Sequence, residues 1–165
     1  MERKASRTWA HLQSADELLR RGQSAPVMDI LGADVSRRDQ LLPDHAYRAT
    51  LLYCCAATAL GEPEKAIPLL NELRSNRGFG SSRYDNVKIL TALAAAQFAE
   101  RKFTEAAQLA VAASLLACAK GLPSAEAKFH SGCAFRLLGD QEHAEQSLLE
   151  SIASACTEFD PLAQD

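Results

Sequence analysis

The stretch Phe135-Arg136-Leu137-Leu138-Gly139-Asp140-Gln141-Glu142-His143-Ala144, running on to Leu148, decides how this chain is read. An apolar segment ends at a glycine, two polar residues follow, and a small residue stands five places beyond the glycine. Two helices joined by so short a turn run antiparallel and close together. The first helix therefore needs a terminal residue able to take positive φ, which Gly139 does without a Cβ penalty. Ala144 lets the second helix lie against the first, and Leu148, four residues on, continues the same face.

The arrangement recurs upstream. Ala57-Thr58-Ala59-Leu60-Gly61-Glu62-Pro63-Glu64-Lys65-Ala66 leads to Leu69-Leu70, and Gln97-Phe98-Ala99-Glu100-Arg101-Lys102-Phe103-Thr104-Glu105-Ala106 leads to Leu109-Ala110. A weaker copy begins Leu18-Leu19-Arg20-Arg21-Gly22 and reaches Val27 and Leu31. The turn residues at 22, 61, 101 and 139 are spaced by 39, 40 and 38 positions. Each helical pair leaves an apolar face that only the next pair can cover, so such a chain gains its stability by stacking.

Over residues 7 to 157 this pattern resembles the tetratricopeptide repeat, a helix-turn-helix unit of about 34 residues. In the last copy Gly132, Phe135, Gly139, Ala144 and Leu148 fall at that family's small, aromatic, turn, small and bulky positions. The units here are longer than the family norm, and no copy carries the family's Trp or its terminating Pro in place. The resemblance implies an all-α helical-hairpin array, an α-solenoid of about eight helices in four antiparallel pairs. It implies one repeat domain over residues 1–157, with 158–165 a tail or a truncated linker. It also implies a concave groove lined by the first helix of each pair, with Arg48, Leu51, Lys88, Thr91, Phe98, Phe129 and Arg136 binding a partner. In that groove Phe98 and Phe129 serve as apolar anchors, and Arg48, Lys88 and Arg136 meet peptide carboxylates. One subtype of the family grips a C-terminal carboxylate through Lys and Asn. The Asn positions are Cys55, Ala95 and Cys133 here, so that clamp is missing.

Local signals divide the chain in the same way. Pro26 and Pro63 fall in first helical turns, where a missing N–H is harmless. Ser82 and Asp85 have capping-box spacing, and Pro123-Ser124 precede a helix with Glu126 in its first turn. Helices are predicted at 7–21, 25–34, 44–60, 63–75, 83–100, 103–119, 125–138 and 141–157. Pro68 predicts a kink or a delayed start in the fourth. Asn76 to Ser81 and Arg37 to Pro43 read as loops.

Composition agrees with helix: 47% of residues are hydrophobic, only 6% are aromatic, and β-branched residues are sparse. Residues 1 to 83 hold 12 Lys/Arg against 10 Asp/Glu, and residues 84 to 165 hold 6 against 11, or +2 and −5. A nucleic-acid binder needs a dense basic stripe, so direct nucleic-acid binding is not expected. Arg20-Arg21 and Arg37-Arg38 read as solvated helix-end pairs. Five cysteines without a CxxC pair suggest reduced thiols, and the N-terminus has no secretory h-region. Leu51 to Leu60 and Leu109 to Ala119 are too short to span a bilayer, which takes about 20 residues. A cytoplasmic, membrane-free protein is expected.

No catalytic constellation stands out. Cys55 and Cys133 share one repeat phase and Cys118 and Cys156 another, which points to small buried packing residues. His130 with Cys133 lacks the further ligands of a zinc site. His11, His45, His130 and His143 are scattered, and Gly78-Phe79-Gly80 lacks the Lys-Ser/Thr of a phosphate loop. The expectation is therefore a non-enzymatic protein-interaction scaffold without cofactor or metal, which binds a partner's peptide or helix in its groove. The rival reading is a sensory or regulatory domain of a larger signalling or transcription-regulatory protein, binding a signal peptide or small molecule. Self-association through exposed end repeats is a third expectation.

Overall fold

The computed structural model describes residues 2–75 and 83–158. Among them are eight α-helices and no strand: α1 (Glu2–Arg20), α2 (Ser24–Ser36), α3 (Pro43–Ala59), α4 (Pro63–Ser75), α5 (Arg83–Ala99), α6 (Phe103–Cys118), α7 (Ala125–Leu138) and α8 (Gln141–Glu158). The all-helical expectation holds, and the helix ends fall within two residues of those read from the sequence except at the start of α1, which begins at Glu2 and not at residue 7. The loop at 76–81, the Ser82 cap and the tail at 159–165 lie outside the described residues.

The chain divides into two compact units, Met1–Ser82 and Arg83–Asp165. In the first, α1 packs on α2 and α3, and α3 also packs on α2 and α4. In the second, α5 packs on α6 and α7, α6 on α7, and α7 on α8. Cross-helix bonds show the antiparallel sense. His11 meets Asp34 about Gly22, Cys54 meets Ala66 about Leu60, and Ser131 meets Ser147 about Gly139.

The four aligned turn residues adopt one conformation: φ is +72 at Gly22, +76 at Gly61, +62 at Arg101 and +82 at Gly139. Each closes its helix with the same pair of backbone bonds. Gly139 N–H donates to Arg136 O at 3.2 Å and Asp140 N–H to Phe135 O at 3.0 Å, and equivalent pairs close α1, α3 and α5. This is the double closure that satisfies otherwise orphaned helix-end carbonyls. Arg101 is the only non-glycine with positive φ among the described residues. The loop after α2 differs: a 3-10 turn at Arg38–Gln40 precedes Pro43, and Arg38 Nη2 reaches the Glu72 carboxylate at 2.7 and 2.8 Å.

The residue five after each turn is buried in all four copies, as Val27, Ala66, Ala106 and Ala144. The residue seven before each turn is buried too, as Ala15, Cys54, Ala94 and (from the second unit's last hairpin) Gly132. Direct contact between these positions is seen in two hairpins, where Cys54 Sγ meets Ala66 O and Gly132 lies against Ala144 O. A Cβ on Gly132 would stand 2.6 Å from Leu148 Cγ and 3.1 Å from Ala144 O, so the hairpin closes there only over a residue without a side chain.

Two sequence expectations are corrected here. The recurring cysteines are not the packing residues: Cys55, Cys118 and Cys156 are exposed and Cys133 is half-buried, while Cys54 is buried. One helical residue is about 100° of arc, so Cys54 faces α4 and Cys55 faces away. The start of α4 is not delayed by Pro68. The helix begins at Pro63 and continues through it, because Pro68 lies on the exposed side, where the carbonyl it leaves unpaired can bond water.

Arg101→Gly should raise stability by about 1 kcal/mol, the relief of left-handed strain less the added freedom of the unfolded chain. Urea unfolding measures this, and an unchanged or lower midpoint would show that the turn bears no strain. Gly132→Ala should destabilise by about 1–2 kcal/mol, since overpacking outweighs the gain in helix propensity. In a Leu148→Ala background that loss should vanish; if it persists, Leu148 is not the obstacle.

Candidate functional site

The first helix of one hairpin packs on the first helix of the next, α1 on α3 and α5 on α7. A first helix is thus covered on two sides, which leaves a narrow, well-supported outer stripe. On α1 that stripe holds Trp9, Asp16 and Arg20, because the sequence spaces them by about two and one helical turns. Leu12 lies between them in sequence but is turned wholly into the core.

Trp9 is 45% exposed, and it is the only tryptophan in the chain. Its ring stacks on His45 of α3, with centroids 5.9 Å apart and planes 30° from parallel. The Arg48 guanidinium lies over the same indole at 5.5 Å from the ring centroid. Arg48 Nη2 is 3.7 Å from Asp16 Oδ2, an oxygen that Arg20 holds at 2.6 Å. Asp16 is therefore committed to Arg20 and neutralises Arg48 only loosely. The cation-π contact, about 0.5–1 kcal/mol at an exposed site, fixes the guanidinium while leaving donors for another carboxylate. Leu51 and Cys55 extend the face along α3, half-buried and exposed respectively.

In the second unit Lys88 of α5 and Glu126 of α7 share the equivalent face. The Glu126 carboxyl is held below its ordinary range, first by His130 and further by Lys88. His130 Nε2 stands 3.9 Å from Glu126 Oε1. Phe129 is 50% exposed and meets the His130 ring edge-on at 5.8 Å. Arg136 is exposed on the same helix.

Of the sequence-predicted groove residues, Thr91 is interior and Phe98 is half-buried. Thr91 is buried and its hydroxyl donates to Val87 O at 2.9 Å. Phe98 is half-buried, packs edge-on against Phe103 at 5.5 Å and joins the cluster of Ala106, Ala107, Ala134 and Phe135. Arg48 and Leu51 are brought together on one face in the first unit, and Lys88, Phe129 and Arg136 lie on α5 and α7 in the second. Sequence reasoning missed Trp9 and His45. The available signal was a lone tryptophan less than two turns from Asp16 on a first helix, opposite a basic residue of the next first helix.

Other reactive groups have local tasks. Burial pushes the Cys54 thiol well up, and its Sγ–H donates to Ala66 O at 3.6 Å, so it stays protonated at neutral pH. Among the described residues no group of three or more His, Cys, Asp or Glu side chains is placed to share a metal ion. None of the described helices is long and apolar enough to cross a membrane.

His143 belongs to a helix cap. Asp140 accepts the His143 backbone N–H at 3.2 Å through Oδ1 and bonds the ring Nδ1 at 2.8 Å through Oδ2. That ring bond, and then the pair's charge, hold the His143 imidazole above its ordinary range; the ring and backbone bonds hold the Asp140 carboxyl below its own. The stability from Asp140 is present above the ordinary carboxylate value of 3.8 and lost as pH falls through the lowered one. That from His143 is present below the ordinary imidazole value of 6.5 and lost as pH rises through the raised one. The start of α8 should therefore be tightest between those ordinary values. NMR titration should find His143 raised and Asp140→Asn should bring it down; an identical titration in the variant would dismiss the cap. No protein-family model matches the chain, and no curated protein or solved structure does either.

Proposed function

We propose that the chain is a tetratricopeptide-like array of helical hairpins acting as a protein-interaction scaffold, holding a partner's peptide or helix against the outer faces of its first helices. The repeated left-handed turn and the pairing of α1 with α3 and of α5 with α7 support the architecture. The observation that carries the function is the half-exposed Trp9, bracketed by His45 and Arg48. Tryptophan and arginine supply much of the binding energy at protein interfaces, where a large ring leaves water and a guanidinium fork meets a carboxylate. An indole left in water gives up that burial. Arg48 is already ordered by the ring beneath it, so less side-chain entropy is lost when a ligand docks.

The ligand that fits is a segment with an apolar or aromatic anchor beside a carboxylate. On the second unit Phe129, with Lys88 and Arg136 on the same pair of helices, offers the same two chemistries. The reading includes no catalytic role, cofactor or metal. A regulatory domain of a larger protein would use the same faces for a signal peptide or a small anionic ligand.

The full chain should capture anchor-plus-carboxylate peptides from an array. Trp9→Ala and Arg48→Glu should each weaken that binding at least tenfold, or about 1.4 kcal/mol, with the fold retained and the melting temperature lowered by only a few degrees, as loss of the ring contacts requires. Lys88→Glu with Arg136→Glu should do the same for ligands of the second unit. Undiminished binding in all of these variants would remove the reading, and a thermal shift by a small metabolite alone would replace it with the regulatory one.

A further inference from the structure

A different surface, the outer side of α8, carries a second recognition chemistry. Among the described elements α8 packs only on α7 to any extent, yet Leu149 is 60% and Ile152 63% exposed. At 100° per residue these two fall on one stripe with the exposed Cys156, and the exposed Glu142 and Glu145 continue that stripe towards the helix start. Neither glutamate forms an ion pair among the described residues, whereas Glu150, on the flank, is met by Lys128 at 3.6 Å. The helix contains no Lys or Arg.

The chain itself shows what such a face receives. Aligning the turn at 101 with that at 139 puts Ala107, Val111 and Ser114 of α6 in register with Glu145, Leu149 and Ile152 of α8. On α6 this is the face that takes α7, with Ala107 clustered against Ala134. On α8 the equivalent face has larger apolar residues and a glutamate where α6 has alanine. We infer that the α8 face binds a basic amphipathic helix of a partner protein, with its apolar ridge on Leu149 and Ile152 and its Lys or Arg opposite Glu142 and Glu145. A second copy docking through its own α8 would bring no counter-charge to those glutamates, and an acidic helix would repel them.

Two synthetic helical peptides with the same apolar stripe, one flanked by Lys and one by Glu, test this on the full chain by fluorescence anisotropy and amide-shift mapping. The Lys peptide should bind, shift amides between 145 and 156, and weaken as salt rises. Glu142→Lys with Glu145→Lys, and separately Ile152→Glu, should each reduce its affinity at least tenfold; both sites are exposed, so the fold should be retained. Trp9→Ala should leave this binding unchanged, which separates it from binding at the α1 and α3 face. Equal binding of the Glu peptide, indifference to the charge reversal, or loss with Trp9→Ala would overturn the assignment. So would a concentration-dependent dimer that Leu149→Glu with Ile152→Glu dissolves, since a second copy would then be the occupant.

Discussion

Everything in these hairpins depends on two helices meeting over very small side chains. The residue seven before the turn and the residue five after it are buried in every hairpin, and they meet directly as Cys54 with Ala66 and Gly132 with Ala144, while Ala15 and Val27 share one core cluster. Helices so close cannot be joined by an ordinary turn. The chain must reverse within two or three residues, and the left-handed residue at 22, 61, 101 or 139 lets it do so while recovering the orphaned carbonyls. The alanine-rich, aromatic-poor composition is a consequence, because a bulky residue at any of these positions would push the pair apart. Large apolar residues serve where more room exists, as Leu12, Leu31, Leu70, Ile89 and Leu93.

That constraint explains why the fold was legible and where legibility stopped. Turn chemistry is local: a glycine, two polar residues and an alanine at fixed offsets act through the backbone alone, so the hairpin boundaries could be read directly. Even the departure at Arg101 keeps the glycine conformation. The radial position of a side chain is less local. Moving from Cys54 to Cys55 turns the side chain by about 100°, from the hairpin interior to the surface, and a matched phase in two repeats does not reveal which side it is on. The same shortfall applies to Thr91, which is buried, and to Phe98, which is half-buried against the cluster of Ala106, Ala107 and Ala134.

The candidate site was half legible for a related reason. Arg48 could be found, because charge on a first helix advertises itself. Trp9 and His45 could not, since their significance lies in the stacking of α1 on α3, a contact between residues 36 positions apart in the sequence. Most other ion pairs join residues no more than four apart, as in Arg20 with Asp16 and Arg21 with Glu17, and these bear out the reading of Arg20-Arg21 as a solvated helix-end pair. Such pairs add little to stability. The contacts of Arg48 with Asp16, Arg38 with Glu72, His11 with Asp34 and Lys128 with Glu150 join different helices and register tertiary structure.

Position in the stack also separates the two kinds of surface. A first helix such as α1 or α3 is buttressed on two sides, so a side chain on its remaining stripe starts from a restricted set of rotamers, and Arg48 is restricted further by the indole. A site of that kind gives up little entropy on binding and suits a short, extended ligand with few contacts. Among the described residues the α8 face has no such buttress and no ordered cation, only an apolar stripe and two glutamates without an ion pair. It must draw its affinity from buried area and from charge brought by the ligand, and a whole helix is the simplest object that provides both at helical spacing. The difference between the two surfaces thus follows from how many neighbours each helix has, and the number of neighbours follows from the close-packed hairpin.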